Sequence, residues 1–121
     1  MPSRSGLARP FLPTRDFELS TRFYEALGFV KHFDGEVAIF GTASGGFILQ
    51  RHYHPDWAGN CMMQLVVENL DAWWAQVSGL DLAGRFGVPD PKPPAMQPWG
   101  MRVAFVVDPA GVLWQVVEHA G

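Results

Sequence analysis

Apolar side chains recur with a period of two near the C-terminus. Val103, Phe105 and Val107 alternate with Ala104 and Val106, the pattern of a β-strand. Asp108-Pro109-Ala110-Gly111 follows, with Asp opening the turn, Pro presetting φ and Gly closing it. Residues 112–117 then predict a second strand, so the stretch from Pro98 to Gln115 reads as a hairpin. One polar side chain, Gln115, interrupts the apolar run.

The same reading applies along the whole chain. Residues 9–13 predict a strand; Pro10 and Pro13 either confine it to a sheet edge or stand at its ends. Asp16 is a good N-cap with Glu18 in the first turn, Phe17, Phe23, Tyr24 and Leu27 follow at helical spacing, and Gly28 ends the helix. Strands are expected at 29–34, 37–42 and 47–52. The order then repeats. A strand at 62–67 leads to Asn69, which caps a helix holding Leu70, Trp73, Trp74 and Val77. Strands at about 83–88, 101–107 and 113–117 complete a second β-α-β-β-β unit. Leu12–Asp16 aligns with Leu65–Asn69, and Phe47-Ile-Leu-Gln50 with Val112-Leu-Trp-Gln115. This alignment makes Gln50 and Gln115 equivalent, and likewise Arg9 and Met62. The longer second copy owes its extra length to the Pro-rich segment 88–99, read as a loop, and long loops in compact domains are often functional. The expected organisation is one domain with module one at about 7–55 and module two at about 60–119, after a polar tail at 1–6.

Composition narrows the function. With 48% hydrophobic and 17% charged residues, the chain is neither disordered nor a coiled coil. A net charge of only −3 argues against nucleic acid and against an anionic membrane surface. No run approaches a membrane span and no signal peptide is visible. Cys61 is the lone cysteine, so no internal disulfide forms. Its Met62 and Met63 neighbours suggest a buried strand thiol, and the default setting is reducing and cytoplasmic.

Two motifs carry a resemblance. RDFELSTRFYEALGF (15–29) is similar to the first-helix signature of the vicinal-oxygen-chelate superfamily, and PWGMRVAFVVDPAG to its C-terminal hairpin. That superfamily contains glyoxalase I, extradiol dioxygenases, and fosfomycin and bleomycin resistance proteins. Pro10 and the Gln97-Pro98-Trp99-Gly100 run resemble the bleomycin resistance branch. The resemblance implies an α+β fold: paired βαβββ modules forming a cup-shaped, mostly antiparallel sheet, with helices on the outside. It also implies a homodimer whose N-terminal strand can cross to the partner. The superfamily's enzymes hold a divalent metal through His, Glu or Gln at four inward positions, which here are Arg9, Gln50, Met62 and Gln115. A guanidinium has no lone pair to donate and a thioether is a soft ligand. The expectation is therefore no metal, no cofactor and no catalytic residue. Gln115 is then either a hydrogen-bonding group in a cavity or a satisfied core amide.

The function that follows is sequestration of a planar, cationic small molecule, such as the glycopeptide antibiotic bleomycin, in a groove between two subunits. Trp99, at the end of the Pro-rich segment, can offer a ring face to such a ligand or serve as a packed anchor. Phe33 stands where the resistance proteins carry a drug-stacking aromatic, whereas Glu36 and Val37 replace the second aromatic found there. Gln50, Gln115 and Met62 would line the same groove. Asp34, Glu36, Asp56 and Asp90 either give it an acidic wall or are ordinary surface acids. The alternatives are a metal-dependent lyase or dioxygenase on the same fold, or a binding domain for an unrelated ligand. His52 and His54, spaced to share a strand face, could begin a zinc site or be exposed strand-end histidines. A Cys61–His nucleophile pair has no supporting spacing.

Overall fold

A computed structural model describes residues 8–42 and 45–119, and the polar tail at 1–6 lies outside them. Asp16 caps α1 (Phe17–Ala26) by accepting from the Leu19 amide, and Gly28, at φ +99°, ends it. Before it lies β1 (Phe11–Pro13); after it come β2 (Val30–Asp34), β3 (Ala38–Thr42) and β4 (Gly45–Gln50). These four strands form one sheet in the order β1-β4-β3-β2, with β1 parallel to β4 and the other pairs antiparallel. A short helix, α2 (Pro55–Asn60), links to β5 (Met62–Val67). Asn69 caps α3 (Leu70–Val77) through the Ala72 amide. Then follow α4 (Leu82–Phe86), β6 (Lys92–Met96), β7 (Arg102–Val107) and β8 (Leu113–Glu118), and the second sheet runs β5-β8-β7-β6.

Three local expectations are corrected. Residues 83–88 are not a strand: they fall within and just after α4, which Asp81 caps by accepting from the Gly84 amide. Leu82, Phe86 and Val88 bury themselves in the core, and this tertiary gain overrides the β propensity of Phe86 and Val88. The segment 88–99 is not wholly a loop, because β6 lies inside it. Pro93 and Pro94 cannot donate to a ladder, but β6 is an edge strand. It pairs through Lys92, Ala95 and Met96 around a register shift, where prolines are tolerated. The 47–52 strand stops at Gln50, and α2 was not foreseen.

The strand registers also revise the internal repeat. The two N-caps, Asp16 and Asn69, are equivalent, as are Leu12 and Leu65. Leu12 pairs with Leu49 and Leu65 with Val116. Leu49 therefore corresponds to Val116, and Gln115 corresponds to Ile48 rather than to Gln50. Gln50 corresponds to Val117. By the same registers Ala38 matches Ala104, Phe40 matches Val106 and Phe47 matches Trp114.

These matched residues make the core. Phe40, Phe47, Leu49, Val106, Trp114 and Val116 are all buried. Phe47 and Trp114 meet with ring centroids 5.4 Å apart, so the two sheets face each other through these inner sides. Tyr24 from α1 sits between them, 4.7 Å from Phe47 and 5.8 Å from Trp114. Its hydroxyl donates to Asp108 Oδ2 at 2.6 Å and accepts from Trp114 Nε1 at 2.9 Å. Asp108 Oδ1 accepts from the Ala110 and Val112 amides at 2.8 and 2.9 Å. Every polar atom of this buried cluster thus has a partner, the condition under which such a network stabilises. It also joins the two sequence signatures, since Tyr24 belongs to the helix motif and Asp108 to the hairpin motif.

Candidate functional site

Side chains alternate across a strand, so each sheet turns its second face away from the common core. On the first sheet that outer face carries Phe11, Ile39, Ile48 and Gln50. Phe33 joins them because a register shift between Lys31 and Phe33 brings it opposite Ile39. On the second sheet the outer face carries Met62, Gln64, Phe105, Leu113 and Gln115. Both faces are apolar yet open: Phe11 is 57% exposed, Phe33 52% and Met62 58%. Large exposed apolar faces of this kind mark binding surfaces.

Gln115 and Met62 are brought together. The Gln115 amide nitrogen donates to Met62 Sδ at 3.2 Å. Gln115 is therefore no core amide; it stands half-exposed on the open face. Beside it, Pro89, Asp90, Lys92, Phe105, Val107 and Leu113 line a recess of about 380 Å³. None of Phe105, Val107 and Leu113 stood out in the sequence as a candidate site residue. Their signal was present, because they share the two-residue period of Gln115 and so its face. Trp99 lies in the turn after β6, a tight bend closed by Gly100 N to Gln97 O at 2.9 Å and Gln97 N to Met101 O at 2.8 Å. Gly100 has φ +91°, a conformation that favours glycine. The indole is 56% exposed, so it is not a packed anchor.

Phe33, Gln50 and Glu36 belong to the first sheet and its β2–β3 turn, whereas Trp99, Gln115 and Met62 belong to the second. Each outer face turns away from the shared core, and no hydrogen bond or recess among the described residues joins the first three to the last three. Nor do the acids form one wall. Asp34 is paired with Lys31 at 3.0 Å, Asp56 sits in the first turn of α2, and Asp90 borders the recess.

His52 and His54 follow β4 and pack against Trp57, with centroids at 5.9 and 5.1 Å. Among the described residues no group of three or more His, Cys, Asp or Glu side chains could hold a metal. The corrected register replaces Gln50 by Ile48 in the cup quartet, giving Arg9, Ile48, Met62 and Gln115. One weak amide donor is thereby exchanged for none, so these residues do not fit a hard divalent ion. Cys61 is partly buried against the core, and burial pushes its thiol up, away from nucleophilic use.

No protein-family model matches the chain. It is 29% identical to a bleomycin resistance protein of Klebsiella pneumoniae, over 93% of this chain and 91% of that protein. Among solved structures it is similar to a bleomycin-binding protein complexed with bleomycin. The identity is 28%, the TM-score 0.79, and the match covers 95% of this chain and 99% of the other. A bleomycin resistance determinant encoded on the transposon Tn5 matches with 26% identity and a TM-score of 0.74, over 97% of this chain and 100% of that one.

Proposed function

From the premise that this chain is a homologue of the bleomycin resistance proteins, with the fold of the glyoxalase/bleomycin resistance/dioxygenase superfamily, we propose that it is a binding protein which sequesters a planar, cationic ligand of the bleomycin class. The observation that carries the reading is the pair of open apolar faces, each studded with an exposed aromatic: Phe33 on the first sheet and Trp99 at the rim of the second. Two copies of the chain assemble so that the first sheet of one faces the second sheet of the other. Each resulting groove then holds Phe33, Gln50 and Glu36 from one protomer, and Trp99, Gln115 and Met62 from its partner.

An exchange of the N-terminal strand belongs to the same proposal. β1 is three residues long and lies at a sheet edge, so little pairing holds it to its own chain. The groove works without metal and without covalent chemistry. Its quartet offers a single amide oxygen, from Gln115, too little for a hard divalent ion, and burial raises the Cys61 thiol. Protection comes from mass action, with sites in excess over Kd, inside the cell where the ligand would act. No helix among the described residues is long and apolar enough to cross a membrane.

The test is calorimetric titration with metal-free bleomycin, alongside sedimentation. A ligand at about 100 times Kd should raise stability by roughly 2.7 kcal/mol, and the protein should sediment as a dimer. A stable monomer at micromolar concentration that still binds the drug would remove the shared groove. One tightly held zinc or manganese ion per chain, lost on changing Gln115 to Ala, would favour the metal-dependent enzyme instead.

A further inference from the structure

We infer that Gly35 and Arg51 are positioning residues that hold the Phe33 ring as a fixed platform for the planar part of the ligand; the inference rests on the binding function above. Phe33 is 52% exposed near the end of a hairpin. An exposed side chain there would ordinarily hop between rotamers on the picosecond to nanosecond scale. Here the absence of a side chain at Gly35 leaves room for one placement of the ring, over the turn.

A Cβ added at Gly35 would meet Cε2 and Cζ of Phe33 at 3.0 Å. The tip of the ring therefore rests in the volume that a side chain at Gly35 would need. Gly35 is not among the positive-φ glycines. Backbone freedom does not require glycine at this position; room for the ring does. The turn beneath the ring is itself braced. The Gly35 amide donates to Val37 O at 2.9 Å. On the other side, Arg51 Nη2 donates to the Gly35 carbonyl at 3.2 Å, and the same guanidinium lies 3.9 Å over the ring of Phe17. Phe17 is buried at the start of α1, so Arg51 ties the turn to the rigid part of the module. A planar guanidinium can stack and donate at once, and an ammonium cannot. With Glu36 and Val37 next along the chain, Phe33 is the sole aromatic of this turn. Its placement thus sets what this half of the groove can stack. A ring already in place also loses less freedom on binding.

The inference separates from a general structural role by non-additivity. The full-length chain is titrated with metal-free bleomycin. Gly35→Ala adds a methyl at an allowed φ, so the Phe33 ring is what must move. Its affinity should fall about five- to tenfold, with the melting point unchanged. In a Phe33→Ala background the same Gly35→Ala change should matter less than about twofold. Arg51→Gln should show the same pattern with a smaller loss, and Arg51→Lys should not restore it. Equal losses in both backgrounds, or no loss in either, would overturn the inference. If wild type fails to bind bleomycin, the functional reading falls on its own account. The positioning is then read by NMR: contacts between Gly35 Hα and the Phe33 ring protons should be strong in wild type and weak in Arg51→Gln, and their absence in wild type would overturn it.

Discussion

The two modules share their inner faces and differ on their outer ones. Inside, Leu12 matches Leu65, Ala38 matches Ala104, Phe47 matches Trp114 and Leu49 matches Val116, apolar for apolar. Outside, Phe11 faces the place that Gln64 takes in the second copy, Ile48 that of Gln115, and Gln50 that of Val117. Gly41 and Gly46 in the first module become Val107 and Leu113 in the second. The glycines have their own reason: a Cβ at Gly46 would strike the Phe40 carbonyl oxygen. The inner positions answer to a packing problem that both modules solve together, so they cannot drift apart. The outer positions answer to whatever sits on each sheet. In the proposed groove a ligand would meet an aromatic, turn-braced surface on one side, and on the other an amide and a thioether beside a recess that Lys92 lines.

The largest test of that comparison is in the core. Phe47→Ala and Trp114→Ala remove equivalent side chains, and each should cost about 3–5 kcal/mol in a urea unfolding experiment. If one were tolerated at under about 1 kcal/mol, the modules would not share one core in the way their matched positions imply. Next in size is Tyr24→Phe. The ring is kept, but Trp114 Nε1 loses its acceptor and Asp108 a donor, for about 1–3 kcal/mol; a neutral result by the same measurement would mean water replaces the hydroxyl. On the outer side, Trp99→Ala should weaken bleomycin binding about tenfold, on the order of 1.4 kcal/mol, without moving the melting point. Loss of stability instead would return Trp99 to packing.

The smallest effect is in the pH dependence. Burial, partly offset by the hydrogen bond from Tyr24 and by backbone amides, raises the Asp108 carboxyl above the ordinary carboxylate value. The folded chain therefore keeps this proton to a higher pH than the unfolded chain. The contribution of the group is greatest below the ordinary value and is lost as pH rises through the raised one. The stability of wild type minus that of Asp108→Asn should therefore increase from neutral pH down to about 4. A difference that shrinks over that range would show that the bonds to the carboxylate outweigh its burial.

Much of this was legible in the sequence, for local reasons. Asp16, Gly28 and Asn69 act on their own neighbours, so the caps fall where the residues say. The hairpin turn at Asp108 reads correctly because its amides bond to the Asp itself. What escaped was decided elsewhere in the molecule. Helix α4 exists because Leu82 and Phe86 find the core, and β6 because β7 offers an edge that two prolines do not spoil. The equivalence of Gln115 and Ile48 required the strand registers. A slip of two residues keeps a side chain on the same face, so alternation alone cannot detect it. Among the candidate site residues, the sequence singled out Met62 and Gln115 from one face, Trp99 from the turn at its edge, and Phe33 and Gln50 from another face. That each of these faces turns away from a shared core depends on how the modules stack, which no local pattern encodes.

The Tyr24–Asp108 bond has a consequence for how the chain acquires its structure. Its partners are separated by 84 positions, and the aromatic cluster around it draws on both sheets. Neither half can complete a core alone, so nothing is secured until the last hairpin has emerged. Folding should be a single all-or-none event late in synthesis, and a truncated product ending before β7 should be cleared by proteolysis rather than linger as a half-built binder.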